Sequence, residues 1–170
     1  GSRRLEGIMI GNLGSVQLGL GEYQLATESF SMSKSIMDEC GDIHASAFMD
    51  LQKGRILQQQ GDQDQAIACF VRAKSDYEKQ GHQRMVALAE YLLAQSYLFA
   101  MHFQDALTTF ENSAQRYRDL GMDSHRESIN PYIIQILIEL GRLKHAMTLT
   151  GDVLRYTRQG GNDLLFPVLL

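Results

Sequence analysis

The sequence predicts an all-α chain, a solenoid of four helix–turn–helix repeats with a truncated fifth unit or capping stub at its end. Three observations carry that expectation. The stretch GEYQLATESF at residues 21–30 returns 40 residues later as GDQDQAIACF and 80 later as MHFQDALTTF, with a worn copy, GRLKHAMTLT, at 141–150. Written in blocks of 40, the copies align without an insertion, the mark of stacked supersecondary units rather than of one folded centre. Between the glycines that punctuate the blocks, the apolar residues fall three or four apart, which places them on one face of a helix.

Each block reads as a helix A, a tight turn, a helix B and a second turn. Gly41, Gly81, Gly121 and Gly161 open the blocks, and Gly21, Gly61, Met101 and Gly141 mark the mid-block turn. Glycine there ends a helix in left-handed backbone without a Cβ penalty. In the first block Ile10, Leu13, Val16 and Leu20 share one face, as do Tyr23, Ala26 and Phe30 after the turn. The A helices are expected near 5–19, 44–59, 83–99 and 124–140, and the B helices near 22–39, 63–79, 103–119 and 143–158. Pro131 should kink the fourth A helix or delay its start, because proline removes a backbone donor and crowds the preceding turn. Residues 163–170, DLLFPVLL, read as the first half of a fifth A helix or as a cap. The domain expectation is one array over 1–170, with repeats at 1–40, 41–80, 81–120 and 121–160 and a stub at 161–170.

Two columns predict how A meets B. Helix B carries Ala26, Ala66, Ala106 and Ala146, followed one turn later by Phe30, Phe70, Phe110 and Thr150. A small residue admits the facing helix and the ring fills the space beside it. Helix A has its own small column at Gly14, Gly54 and Ala94, replaced by Ile134, with Leu57, Tyr97 and Leu137 three residues later and Gln17 as the polar exception.

Composition narrows the function. The chain is 44% apolar with a net charge of −4, and its Lys and Arg are scattered singly, so no basic footprint for nucleic acid is present. No apolar run approaches the ~20 residues of a bilayer span, and no signal-peptide core lies before residue 30. These features predict a cytoplasmic protein without membrane insertion. Gly1 and Ser2, with no initiator Met, read as a cloning scar, and the chain is expected to be excised from something longer. Cys40 and Cys69 occupy unrelated columns without CxxC spacing and are expected to be reduced, inert thiols rather than a disulfide.

These columns resemble the tetratricopeptide repeat, whose signature is W-x2-L-G-x2-Y, then A-x3-F, then Pro. Leu13-Gly14, Ala26 and Phe30 match in the first copy; Gly54, Leu57, Ala66 and Phe70 in the second; Leu93-Ala94, Tyr97, Ala106 and Phe110 in the third; Leu137 and Ala146 in the fourth. The resemblance covers residues 7–160. Two departures stand out. The Trp slot holds Ile10, Asp50, Glu90 and Asn130, and the terminal Pro slot holds Asp38, Glu78, Arg118 and Arg158. Without that proline helix B runs on, which accounts for a block of 40 rather than the usual ~34. This long variety is similar to the repeats of Pins/LGN-type scaffolds, of bacterial peptide-sensing Rap-type regulators and of MalT-type transcription activators.

The resemblance implies a right-handed superhelix whose A helices line a concave groove that receives a peptide. It places Ile8, Phe48, Leu88 and Ser128 in one row and Gly11, Leu51, Tyr91 and Pro131 in the next. Ser15, Arg55, Gln95 and Gln135 follow, and Leu18, Gln58, Leu98 and Ile138 line the far row. The expected groove is apolar on one side and glutamine-rich on the other, suited to an amphipathic helix or an extended apolar segment held by amide side chains. The expected partner-binding residues are Phe48, Leu51, Arg55, Leu88, Tyr91 and Gln95. Tyr91→Ala and Arg55→Glu are expected to weaken binding while leaving the fold nearly unchanged. The rows hold no Lys or Asn, which disfavours a clamp on a terminal carboxylate.

Other patterns have plainer explanations. His44, His82, His102, His125 and His145 lie at helix starts or exposed turns without an HxxxH or HxH pair, and no metal site is expected. Ser31-Met32-Ser33-Lys34 has the S-x-x-K spacing of some acyl-transferring enzymes but lacks the companion motifs and sits on a packing helix. The glycines at 7, 11, 14, 19 and 21 follow no strand, as a phosphate loop would require, and Asp62 and Asp64 lack the Gly and distal Glu of an EF-hand. The expectation is a non-catalytic protein–protein interaction scaffold with a protein or peptide partner, a role in signal transduction and no cofactor. The alternative is a ligand- or peptide-sensing regulatory segment of a larger bacterial signalling or transcription-regulating protein. A third reading is self-association through the array's open ends, residues 1–12 and the apolar 161–170.

Overall fold

A computed structural model describes the chain over residues 2–158. Among these residues there are nine helices and no strand: α1 (Ser2–Gly19), α2 (Tyr23–Glu39), α3 (Ile43–Gln59), α4 (Gln63–Lys79), α5 (Gln83–Phe99), α6 (Phe103–Asp119), α7 (Asp123–Glu127), α8 (Asn130–Glu139) and α9 (Leu143–Arg158). Helices α1 to α6 each pack on their chain neighbours, α6 meets both α7 and α8, α8 packs on α9, and α3 also touches α5. The architecture is therefore an all-α solenoid of four helical hairpins, with A helices α1, α3, α5 and α7–α8 and B helices α2, α4, α6 and α9. The expected stub at 161–170, and any self-association through it, lie outside the described residues.

The turns repeat the same backbone. Gly21, Gly41, Gly61, Gly81, Gly121 and Gly141 take φ between 67° and 84°, and Met101 alone replaces glycine there, at φ 61°. After two of these turns an aspartate starts the next helix: Asp42 accepts from the Ala45 N–H at 3.0 Å and Asp62 from the Gln65 N–H at 3.2 Å. Each satisfies one of the amides that a helix start leaves without a partner.

Within a hairpin the small-then-large columns interlock. Ala26, Ala66 and Ala106 are fully enclosed, and Phe30, Phe70 and Phe110 are at most 1% exposed. A methyl group on Gly54 would sit 2.5 Å from Phe70 Cε1, and one on Gly14 2.9 Å from Phe30 Cε1. Phe30 and Phe70 thus lie in space that only a glycine leaves open, and burying each ring contributes about 1.5–3 kcal/mol.

Between hairpins the seal is ionic. Asp50 and Glu90, in the column where the repeat pattern has Trp, are 2% and 1% exposed. Lys34 Nζ lies 3.1 Å from Asp50 Oδ2, off line for a hydrogen bond, and the Arg72 guanidinium lies 3.3 Å from Oδ1. One repeat on, Lys74 Nζ lies 3.3 Å from Glu90 Oε1 and Arg116 Nε 2.9 Å from Oε2. Lys34 and Lys74 come from the preceding B helix, so each pair ties one hairpin to the next. Lys34 of the S-x-x-K stretch belongs here, and its neighbour Ser33 donates to the Gly7 carbonyl at 2.8 Å. Both serve packing.

The fourth hairpin departs from the single A helix expected at 124–140. Pro131, at the second position of α8, has no N–H to give to Glu127, so α7 stops there. Single-turn bonds carry the chain across the break, from Ile129 N–H to the Arg126 carbonyl and from Tyr132 N–H to the Ile129 carbonyl, at 3.1 and 3.0 Å. The junction is also open. The positions of Lys74 and Glu90 hold Ala114 and Asn130, and a cavity of about 520 Å³ runs between α6, α7–α8 and α9, lined among others by Arg118, Arg126, Glu127 and His145.

Candidate functional site

The A helices bring the expected groove residues together over the second and third hairpins. Phe48, Leu51 and Arg55 of α3 and Leu88 and Tyr91 of α5 line one pocket of about 300 Å³, together with Gln52 and Leu92. Their spacing of three, four and seven puts them on one helical face. Phe48 and Leu88 are half-buried, whereas Leu51, 2% exposed, forms the floor and belongs to the core cluster with Phe70 and Tyr77. Arg55 is exposed at the rim and donates to Gln52 Oε1 at 3.0 Å. Among the described residues its guanidinium enters no ion pair.

Gln95 lies beyond this pocket and starts a second one of about 310 Å³ with Leu98, Phe99, Met101, Tyr132 and Gln135. A polar bridge separates the two. Gln95 Nε2 lies 3.0 Å from Tyr91 Oη and 3.1 Å from Tyr132 Oη, and the two hydroxyls are 3.4 Å apart. Below it three rings pack together: Phe110 stacks on Tyr132 with centroids 5.2 Å apart, and Tyr91 meets each edge-on at 6.0 Å. Burial, and then the bond to Tyr132, push the Tyr91 phenol well above its ordinary value. It stays a neutral hydrogen-bonding group.

This arrangement corrects one expectation. Tyr91 packs against both central core clusters, so Tyr91→Ala removes core as well as groove and cannot leave the fold nearly unchanged. The ring is structural, and its hydroxyl meets Gln95 and Tyr132. Gln52, Leu92 and Tyr132, 40 residues apart, form a further row that the sequence rows left out. Gln52 lies one helical turn after Phe48, and that spacing of four was the available signal.

The remaining candidates sit away from the groove. All five histidines are exposed; the His44 ring lies edge-on to Tyr77 and His82, with centroids 5.3 and 4.9 Å away. No three His, Cys, Asp or Glu side chains converge among the described residues. Cys40 is exposed and Cys69 buried, where desolvation raises its thiol pKa. No described helix is long and apolar enough to cross a membrane.

Comparison with known proteins fits this geometry. The tetratricopeptide repeat model matches residues 51–79, the body of the second hairpin. No curated protein matches the sequence. Among solved structures, aspartyl phosphate phosphatase F from Bacillus subtilis superposes with a TM-score of 0.86 at 13% identity, over 95% of this chain and 42% of its own. BtubC (BKLC) from P. vanneervenii gives 0.85 at 15% identity, over 94% and 66%. Rap protein complexed with competence and sporulation factor gives 0.79 at 10%, over 94% and 45%. The chain thus spans less than two thirds of each of these proteins. With four hairpins in phase and the family's own pattern matched in the second, the chain is a tetratricopeptide-repeat-type array in fold.

Proposed function

We propose that the array is a non-catalytic interaction module, acting as one unit, that holds a partner peptide or amphipathic helix along α3, α5 and α8. The observation behind this reading is the groove's mixed chemistry: apolar Phe48 and Leu88 beside Gln52, Gln95 and two hydroxyls, with Arg55, which enters no ion pair among the described residues, at the rim. Apolar anchors supply affinity, amides hold a peptide backbone, and an exposed cation favours a partner with an acidic group. A cytoplasmic location, expected from composition, and a signalling role, implied by the resemblance, agree with this reading.

The test is selection of binders from a random peptide library on the wild-type chain, followed by titration against Arg55→Glu and Arg55→Ala. Loss of about tenfold or more in affinity, roughly 1.4 kcal/mol, with unchanged circular dichroism and melting, supports the groove. Peptides that bind both variants as well as wild type would refute it.

The second reading, a peptide- or ligand-sensing segment of a larger regulator, is favoured by the fold shared with a Rap protein complexed with competence and sporulation factor. A ligand that binds only the native state raises the melting temperature by mass action. Screening short peptides and metabolites separates the readings, because a sensor ligand should also alter the array's pitch in solution scattering.

A further inference from the structure

The second groove pocket has a lip that the repeat does not need. Phe99, the last residue of α5, and Met101, in the turn that follows, both line this pocket and are 62% and 73% exposed. Forty residues earlier the same two positions hold Gln59 and Gly61. A hairpin therefore closes there with an amide and a glycine, and neither Phe99 nor Met101 joins a described core cluster. Both belong to the third hairpin, which has a described hairpin on each side, so their exposure is not that of a terminal unit.

Met101 is also strained. Its φ of 61° is left-handed backbone, which a glycine supplies at Gly21, Gly41, Gly61, Gly81, Gly121 and Gly141. A side chain in this conformation crowds its own backbone, and strain of this kind gathers at ligand clamps. What the position gains is a polarisable thioether at the mouth of the pocket.

The surrounding chemistry defines the guest. The pocket, about 310 Å³, lies at the lower limit of ligand sites, which suits one side chain of a larger partner. Thioether sulfur and ring edges both favour an aromatic guest. From α8 comes Glu139, which is exposed and enters no ion pair among the described residues; residues 159–170 contain no Lys, Arg or His. It favours a cation beside that guest. The two pocket linings hold one charged residue each, Arg55 over α3 and Glu139 over α8, so the groove has a direction.

We infer that the second pocket is an anchor subsite for an aromatic side chain of the partner peptide, next to a lysine or arginine that meets Glu139, while an acidic group of the same peptide meets Arg55. This rests on the peptide-binding groove proposed above and adds the anchor's type and the partner's polarity.

The probe is a library of short random peptides, selected in parallel on the wild-type chain, Phe99→Gln and Glu139→Lys. Wild type should enrich an aromatic residue beside Lys or Arg. Phe99→Gln should lose that enrichment, and Glu139→Lys should replace the basic neighbour by Asp or Glu. For a wild-type binder, Phe99→Gln and Met101→Gly should each weaken affinity about tenfold. Met101→Gly should at the same time raise the melting temperature by about 2–4 °C, because it relieves the left-handed side chain. Weaker binding with a more stable fold is a combination that a merely structural residue would not give. A lower melting temperature for Met101→Gly, a wild-type consensus without an aromatic residue, or binders that tolerate Phe99→Gln overturn the inference. If such binders still respond to Arg55→Glu, the groove stands and only the second anchor falls. A library that yields no binder, or binders indifferent to every one of these variants, removes both.

Discussion

Between the second and third hairpins, Lys74 and Arg116 close on a buried Glu90; between the third and fourth, the same two columns hold Ala114 and Asn130 and leave a cavity of about 520 Å³. The A helix of the third hairpin runs unbroken over Gln83–Phe99, while that of the fourth is split into Asp123–Glu127 and Asn130–Glu139 by Pro131. Phe110 is sealed under Tyr132, while its counterpart Thr150 is half-buried and spends its hydroxyl on the Ala146 carbonyl. The same 40-residue pattern thus gives a tight junction where both columns of an interface are kept and a loose one where both are lost. Stability in such an array belongs to the junction more than to the hairpin.

The largest expected contrast is at the ring column. Phe70→Ala should cost about 3–5 kcal/mol, the usual range for deleting an enclosed aromatic. The matched Thr150→Ala should cost about 1 kcal/mol or less. Denaturant melts of the two variants measure the difference, and equal losses would break the comparison.

A smaller effect should come from transplanting the tight junction. Ala114→Lys together with Asn130→Glu places the Lys74–Glu90 pair at the edge of the cavity. It should raise stability by about 1 kcal/mol, as expected for a partly exposed ion pair, while either change alone should not. Native-state hydrogen exchange would show whether the gain lies in α8 and α9.

The smallest contrast concerns the helix starts. Asp42 caps α3, whereas Met122, at the same point before α7, offers no side-chain acceptor. The Ala45 N–H, and after it Arg4, hold the Asp42 carboxyl below its ordinary value. A lowered folded pKa means that the cap's stabilisation is complete above the unfolded value of about 3.9 and is lost as pH falls through the folded one. Asp42→Ala should therefore cost about 1 kcal/mol at neutral pH, with the penalty fading below roughly pH 4. Urea midpoints at stepped pH check both the size and the fading.

Most of the fold was legible because period and punctuation are local. The glycines at the turns, the Ala-x3-Phe column and the small residues facing it each act within about 20 residues of sequence, and the structure places them as the pattern requires. Pro131 was legible as a disturbance, although the pattern left open a kink or a late start, and the chain takes a two-piece helix. Cross-repeat chemistry was harder to read. Asp50 and Glu90 registered as a missing Trp, and nothing in their own helix reveals that Lys34 and Lys74, 16 residues earlier, neutralise them. Helical phase placed Phe48, Arg55 and Leu88 on one face, and they line one pocket. Phase alone could not tell that Tyr91 sits under a ring stack, because that depends on Phe110 and Tyr132 from two other helices.

The glycines of α1 carry a consequence for how the molecule assembles itself. Gly7, Gly11 and Gly14 let α2 lie close, since a methyl at Gly7 would sit 2.8 Å from Ile36 and Met37. As isolated residues, however, each disfavours helix by about 1 kcal/mol relative to alanine. Before docking, α1 is thus a weaker helix former than glycine-free α5. Helix α5 should therefore order before α1 as the array folds.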